Sequence, residues 1–119
     1  MQYMLMFYET TNDIAARSGK NDTEYWAGWR AYVDALRKSG IVQSGAGLQP
    51  PATATTLKLR NGSRKIQDGP FADAKEQLGG FFVIDTANLD QALEWAARAP
   101  CASSGGVEVR PVLPPRPAA

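Results

Sequence analysis

The 119-residue chain contains no histidine. That absence removes the commonest general base near neutral pH, the usual zinc and haem ligand, and every Ser–His or Cys–His nucleophile pair. Cysteine is nearly absent too. Cys101 stands alone, so no intrachain disulfide forms, and a chain of this length builds a core without one. A reducing compartment is expected, and the cytoplasm is the expected location. A zinc site would have to rest on carboxylates alone, so neither metal nor haem is expected, and the expectation for cofactors is none. An excess of charge of one sign is also lacking. Thirteen basic and twelve acidic residues leave +1, which makes no electrostatic case for nucleic acid or an anionic membrane as a partner. The apolar stretch Tyr3–Tyr8 has no basic flank and is too short for a signal-peptide core or a membrane span, so it reads as a strand.

What is present reads as one domain over residues 1–113, followed by a Pro-rich tail, 114–119. In the first strand Tyr3, Leu5 and Phe7 face one way and Met4, Met6 and Tyr8 the other, so both faces are apolar. Residues 9–20 are polar, with a short helix near Ile14 ending at Gly19. Asn21 or Asp22 caps a helix over 23–38, with Glu24 placed to close a capping box on Asn21. Its stripe is Tyr25, Trp29, Tyr32, Val33 and Leu36, and Gly40 stands where a left-handed C-terminal glycine belongs. A short strand, Ile41–Ser44, follows. Leu57, Leu59 and Ile66 flank Asn61-Gly62, the signature of a hairpin with a type I′ turn, in which Lys58 faces Lys65. Phe81–Asp85 is the next strand. Asn88 caps a second helix with the stripe Leu89, Ala92, Leu93 and Ala96, ended by Pro100, and Val107–Val112 is the last strand.

The order β-α-β, hairpin, β-α-β predicts an α+β fold: a ferredoxin-like antiparallel sheet with both helices on one face and an inserted hairpin. One layer of helices leaves the other sheet face in water, yet two strands are apolar on both sides. A second copy packed sheet against sheet resolves the conflict, so a homodimer is expected.

Residues 68–80, DGPFADAKEQLGG, are the densest stretch of turn chemistry. Pro70 stops strand pairing and holds Gly69 extended. Asp73 is placed as an N-cap with Glu76 to complete the box, so Ala74–Leu78 would form one helical turn closed by Gly79, and Gly80 would allow a close backbone approach. Those roles are structural. Asp68 and Lys75 have a second reading. Asp68 is either a turn acceptor or a general base and anchor beside Lys75 or an arginine, and Lys75–Glu76 is either a solvated pair or part of the site. Arg110 is placed to pair with Asp68 or Glu76.

The string DGPFADAKEQLGGF, with LDQALEWAARAP and VEVRPV, resembles the DGPF branch of the YCII-related (YciI-like) proteins over nearly the whole chain. The resemblance implies a dimeric α+β barrel. It implies no known reaction, and genes of this family often lie beside those of extracytoplasmic-function sigma factors. The His–Asp pair ascribed to the related YciI-type branch has no counterpart here, because histidine is missing.

Two functions follow. The first is a small-molecule binder or cofactor-independent enzyme with a pocket between the first long helix and the sheet. Asp68 would be the catalytic anchor, and Tyr25, Trp29, Phe71, Lys75, Glu76 and Arg110 the substrate-binding set. The second is a non-catalytic regulatory dimer linked to such a sigma-factor pathway, contacting another protein through the basic hairpin or the tail. A closed apolar cleft with a buried carboxylate favours the first; a filled core with an exposed patch favours the second.

Overall fold

A computed structural model describes residues 1–117. Four strands form one antiparallel sheet. They are β1 (Gln2–Thr10), β2 (Val42–Gly47), β5 (Glu76–Asp85) and β6 (Gly106–Pro111), in the order β2-β5-β1-β6. The strands β3 (Thr55–Arg60) and β4 (Ser63–Asp68) form a separate two-stranded ribbon between β2 and β5. The helices are α1 (Thr11–Ala16), α2 (Asp22–Lys38) and α3 (Leu89–Ala97). This is the ferredoxin-like plan with an inserted hairpin. No helix among the described residues is long and apolar enough to cross a membrane.

The alternation along β1 sets the layers. Tyr3, Leu5, Phe7 and Glu9 are buried, while Met4, Met6 and Tyr8 on the other face are half-buried. Under the helices, Leu5, Leu36 and Ile84 are fully buried, and Phe7 meets Trp29, Tyr32 and Phe82 edge-on at ring-centroid distances of 5.2, 5.9 and 6.1 Å. Such pairs contribute about 0.5–1.5 kcal/mol each beyond the area they bury. Tyr32 also donates to the Trp95 carbonyl at 2.9 Å, which joins α2 to the end of α3.

Most local expectations hold. Gly40 is left-handed (φ +80°), Asn61 and Gly62 have the positive φ of a type I′ turn, and Lys58 faces Lys65. Asn88 caps α3 by accepting from the Gln91 N–H. Others are corrected. Asn21 makes no side-chain cap bond, because its backbone (φ −105°, ψ 28°) lies outside the extended region a capping residue needs. The capping box forms instead between Thr10 and Asp13 at α1. Leu89 and Leu93 on α3 are exposed, and only Ala92 and Ala96 of that stripe are buried. Gly69 is left-handed (φ +102°) rather than extended. The tail is exposed through Pro117, and its last two residues lie outside the described residues.

The largest correction falls on DGPFADAKEQLGG. No helical turn forms at Ala74–Leu78; β5 begins at Glu76 and runs through Gly79 and Gly80. The pairing with β1 explains it. Phe7 pairs with Gly80 and Tyr8 with Leu78, so Gly79 is the extra residue of a β-bulge. Extending the ladder with Thr10, Glu9 and Tyr8 satisfies more backbone groups than one isolated turn would. The loop before it is held by the Gln77 side chain, which donates to the carbonyls of Ala72 and Ala74 at 2.9 and 2.8 Å.

Candidate functional site

Glu9 continues the inward face of β1 after Tyr3, Leu5 and Phe7, so the strand's own alternation drives a carboxylate into the interior, where it is 2% exposed. A buried carboxylate needs partners, and it has two. Arg17, just past α1, donates from Nη2 to Oε1 at 2.6 Å, and the Tyr25 hydroxyl, on the first turns of α2, donates to Oε2 at 2.5 Å. Arg17 Nε in turn donates to the Tyr25 oxygen at 3.1 Å, which closes a ring of three side chains. The guanidinium also reaches the Leu48 carbonyl at 2.6 Å and the Gly79 carbonyl at 3.3 Å. One cluster thus ties β1, the α1–α2 junction, the chain after β2, and the bulge in β5. No buried side-chain polar atom among the described residues lacks a partner.

The bulge makes room for this cluster. A Cβ on Gly79 would stand 2.1 Å from Glu9 Oε1 and 2.9 Å from Arg17 Nη2. The carboxylate occupies the space a side chain at 79 would take. Gly80 is pressed in the same way against the backbone of β2, with a Cβ 3.0 Å from the Ala46 carbonyl oxygen. A side chain at either position would force its neighbours to shift, and Gly79 has no positive φ.

Above the cluster lies a cavity of about 640 Å³ between α2 and the sheet. Its walls are mainly apolar: Phe7, Ile14, Trp26, Trp29, Val33 and Phe82. Glu9, Arg17 and Tyr25 make one polar end, and Arg37 stands at the other end of α2. Trp26, 45% exposed, forms the rim; its indole N–H donates to the Arg17 carbonyl at 2.9 Å, and its ring meets Tyr25 edge-on at 4.8 Å.

Burial pushes the Tyr25 phenol up to about 12, and donation to Glu9 adds to the shift. Burial works against the charge of Arg17, but its bonds to Glu9 and Tyr25 outweigh that, so its pKa is raised. At neutral pH the cluster holds a neutral phenol and a guanidinium, and Tyr25 is a hydrogen-bonding group rather than a base. A phenol raised on folding stabilises the fold fully below the unfolded value of about 10 and loses that contribution as pH rises through the folded value. Ultraviolet titration should therefore show a tyrosinate forming near pH 12 together with loss of structure between pH 10 and 12. Tyr25→Phe should reduce that phase, leaving the part contributed by Tyr32, whose phenol burial also raises; an unchanged phase in the variant would assign it to Tyr32. Cys101 is buried, and burial raises its thiol to about 12, so it stays an unreactive thiol.

Of the residues singled out from sequence, Tyr25 and Trp29 line this cavity. Phe71 is 75% exposed, lies under the Lys58 ammonium at 5.1 Å, and lines a separate depression beside the ribbon. Asp68 is exposed at the end of β4, opposite Thr55. Lys75 and Glu76 are exposed where β5 begins. Arg110 pairs with Glu108 at 2.5 Å, not with Asp68 or Glu76, because alternation on β6 sets the two side by side on the face away from the helices. The structure does not bring these five into the cavity. The charged residues it does place there, Arg37 and the pair Glu9 and Arg17, were missed. The signal of the pair was legible: a carboxylate at the next inward position of an apolar strand face. Among the described residues no group of three or more Cys, Asp or Glu side chains converges to hold a metal.

Comparison with known proteins gives three findings. A family model of the YCII-related domain matches residues 1–116. An uncharacterised protein of Rhizobium meliloti (strain 1021) is 36% identical over 114 residues, covering 94% of this chain and 92% of that protein. Among solved structures, the fold resembles 5-chloro-2-hydroxyhydroquinone dehydrochlorinase from Burkholderia phenoliruptrix AC1100, in complex with 2,5-dihydroxybenzoquinone, with a TM-score of 0.55 at 16% identity over 95% of this chain and 94% of that one. At that identity the likeness speaks for the fold alone, whereas the match over nearly the full length and the 36% identity place this chain in the YCII-related domain family.

Proposed function

We propose that this protein binds a small, planar, hydroxyl-bearing molecule in the cavity between α2 and the sheet, and that any chemistry there proceeds through its own side chains without a cofactor. The observation that carries the reading is the apolar cavity closed at one end by the buried Glu9–Arg17–Tyr25 cluster. Aromatic walls take the faces of a flat molecule, and a few fixed polar groups at one end set its orientation. The Tyr25 oxygen donates to Glu9 and accepts from Arg17, which leaves it a lone pair for a ligand O–H. Arg17 keeps its charge and offers a donor to a ligand oxygen. A hydroxyl, which both donates and accepts, matches that pair. The quinone bound by the structurally similar dehydrochlorinase is a flat, oxygen-bearing ring of this general kind and supports the choice of probe.

The test is a titration of 2,5-dihydroxybenzoquinone and its reduced hydroquinone, followed by tryptophan fluorescence and by the shift in melting temperature. Quenching through Trp26 and Trp29 with a rise in melting temperature is expected. Tyr25→Phe should weaken binding about fivefold, the loss of one hydrogen bond of roughly 1 kcal/mol. An Asp68→Asn variant separates the two carboxylate sites. Loss of binding there, with Tyr25→Phe unaffected, would move the site to the DGPF turn and overturn the cavity as its seat.

A regulatory reading has its own observation. Leu57, Leu59 and Ile66 are 48–60% exposed on one face of the ribbon together with Arg64, while Lys58, Arg60 and Lys65 alternate to the other face. If that face is the functional surface, the probes leave the fluorescence unchanged, and substitutions on the ribbon rather than in the cavity alter function.

A further inference from the structure

The two ends of the cavity differ in charge. At the inner end Arg17 is matched by Glu9, so the cluster carries no net charge. At the other end Arg37 makes no ion pair or side-chain hydrogen bond among the described residues, and its guanidinium carbon lies 5.8 Å from the centre of the Phe82 ring. A cation in the last turn of a helix is favoured by the helix dipole, which would account for the residue type. It does not account for where the side chain goes, which is over the Phe82 ring at the edge of the cavity. Among the described residues Glu9 is the single carboxylate lining the cavity, so with two arginines the lining carries one excess positive charge.

The separation of the ends follows from the sheet. Phe82 pairs with Leu5, and Glu9 lies four residues further along β1. At about 3.4 Å per residue the Arg37 and Tyr25 ends are therefore roughly 14 Å apart. With a hydrogen bond of about 3 Å at each end, the ligand's own polar groups stand roughly 8 Å apart. That exceeds what a carboxylate set directly on a phenol ring spans.

We infer that the cavity takes an elongated aromatic monoanion: a hydroxylated ring seated against Trp29 with its hydroxyl at Tyr25, carrying a carboxylate on a short spacer that pairs with Arg37. This rests on the cavity being the binding site, as proposed above, and adds the charge and length of what fills it. Arg37 is then the residue that selects acid over neutral ligand, since a guanidinium binds a carboxylate through two charge-assisted hydrogen bonds but an amide only weakly.

The experiment uses the full chain and three pairs of probes: para-hydroxybenzoate, para-hydroxyphenylacetate and para-hydroxyphenylpropanoate, each beside its primary amide. Affinity should rise with spacer length among the acids. The longest acid should bind about tenfold more tightly than its amide, a preference that raised salt diminishes. Arg37→Gln should erase the acid preference and leave the amides' affinity unchanged, which also reports that the cavity remains folded. Equal binding of acid and amide by the natural protein overturns the inference but leaves the cavity reading standing, as does a preference that survives Arg37→Gln. Binding by none of the six, with no effect of the quinone probes either, overturns both.

Discussion

Gly79→Ala is expected to lower the melting temperature by roughly 12–20 °C, at about 4 °C per kcal/mol, and to abolish binding in the cavity. The added methyl cannot coexist with the Glu9 carboxylate, which would lie 2.1 Å from it. Something must move. The glycine's neighbours on β5 are locked into the ladder with β1, so the side chains give way. Swinging Glu9 aside breaks its bond to Arg17 and leaves the buried carboxylate without its charged partner. Breaking a buried pair in this way typically costs about 3–5 kcal/mol. Gly47→Ala is the matched control for stability. Its Cβ meets nothing within 4 Å, so it should change stability by less than about 0.5 kcal/mol. If Gly79→Ala behaves like that control in thermal and denaturant unfolding, the carboxylate does not fill the space beside the bulge, and the cluster as described is wrong.

Met6→Lys is expected to convert a dimer into a monomer, weakening association by a hundredfold or more, or about 3 kcal/mol. Met4, Met6 and Tyr8 on β1, with Phe81 and Val83 on β5, turn away from the helices, and no second layer among the described residues covers them. The molecule is a slab of 54 × 47 × 18 Å, and its radius of gyration of 16.4 Å exceeds the roughly 13.5 Å of a compact domain of this length. A slab with one apolar face is completed by a second copy packed sheet against sheet, and we propose this homodimer as the working form. A lysine at position 6, beside Glu108 on β6, would have to be buried at the centre of that interface in both copies. Light scattering at micromolar concentration should give twice the chain mass for the natural protein and the single chain mass for the variant. A natural protein that scatters as a monomer would mean that this face does not pair. An unchanged dimer in the variant would move the interface elsewhere, to the ribbon or to Leu89 and Leu93 of α3.

Wherever a signal lies within one element, the sequence determines the outcome. Period two along Tyr3–Tyr8, the stripe from Tyr25 to Leu36, Asn61-Gly62 and Asn88–Gln91 depend on backbone geometry over a few residues, and their elements form as read. The order of those elements, two strand–helix–strand units around a hairpin, is sufficient for the ferredoxin-like plan. Tertiary structure decides where two elements compete for the same residues. Asp73 and Glu76 spell a helix start, but Glu76, Gln77 and Leu78 find a ready-made partner strand in Thr10, Glu9 and Tyr8, and the ladder wins. Chain-local pattern carries no information about that neighbour. The site follows the same rule. Glu9, Arg17 and Tyr25 lie in three different elements and meet only because the Gly79 bulge opens a space at the end of β1. The sequence by itself marks Glu9 as a carboxylate on an inward face; only the packed structure supplies the partners that make burying it affordable.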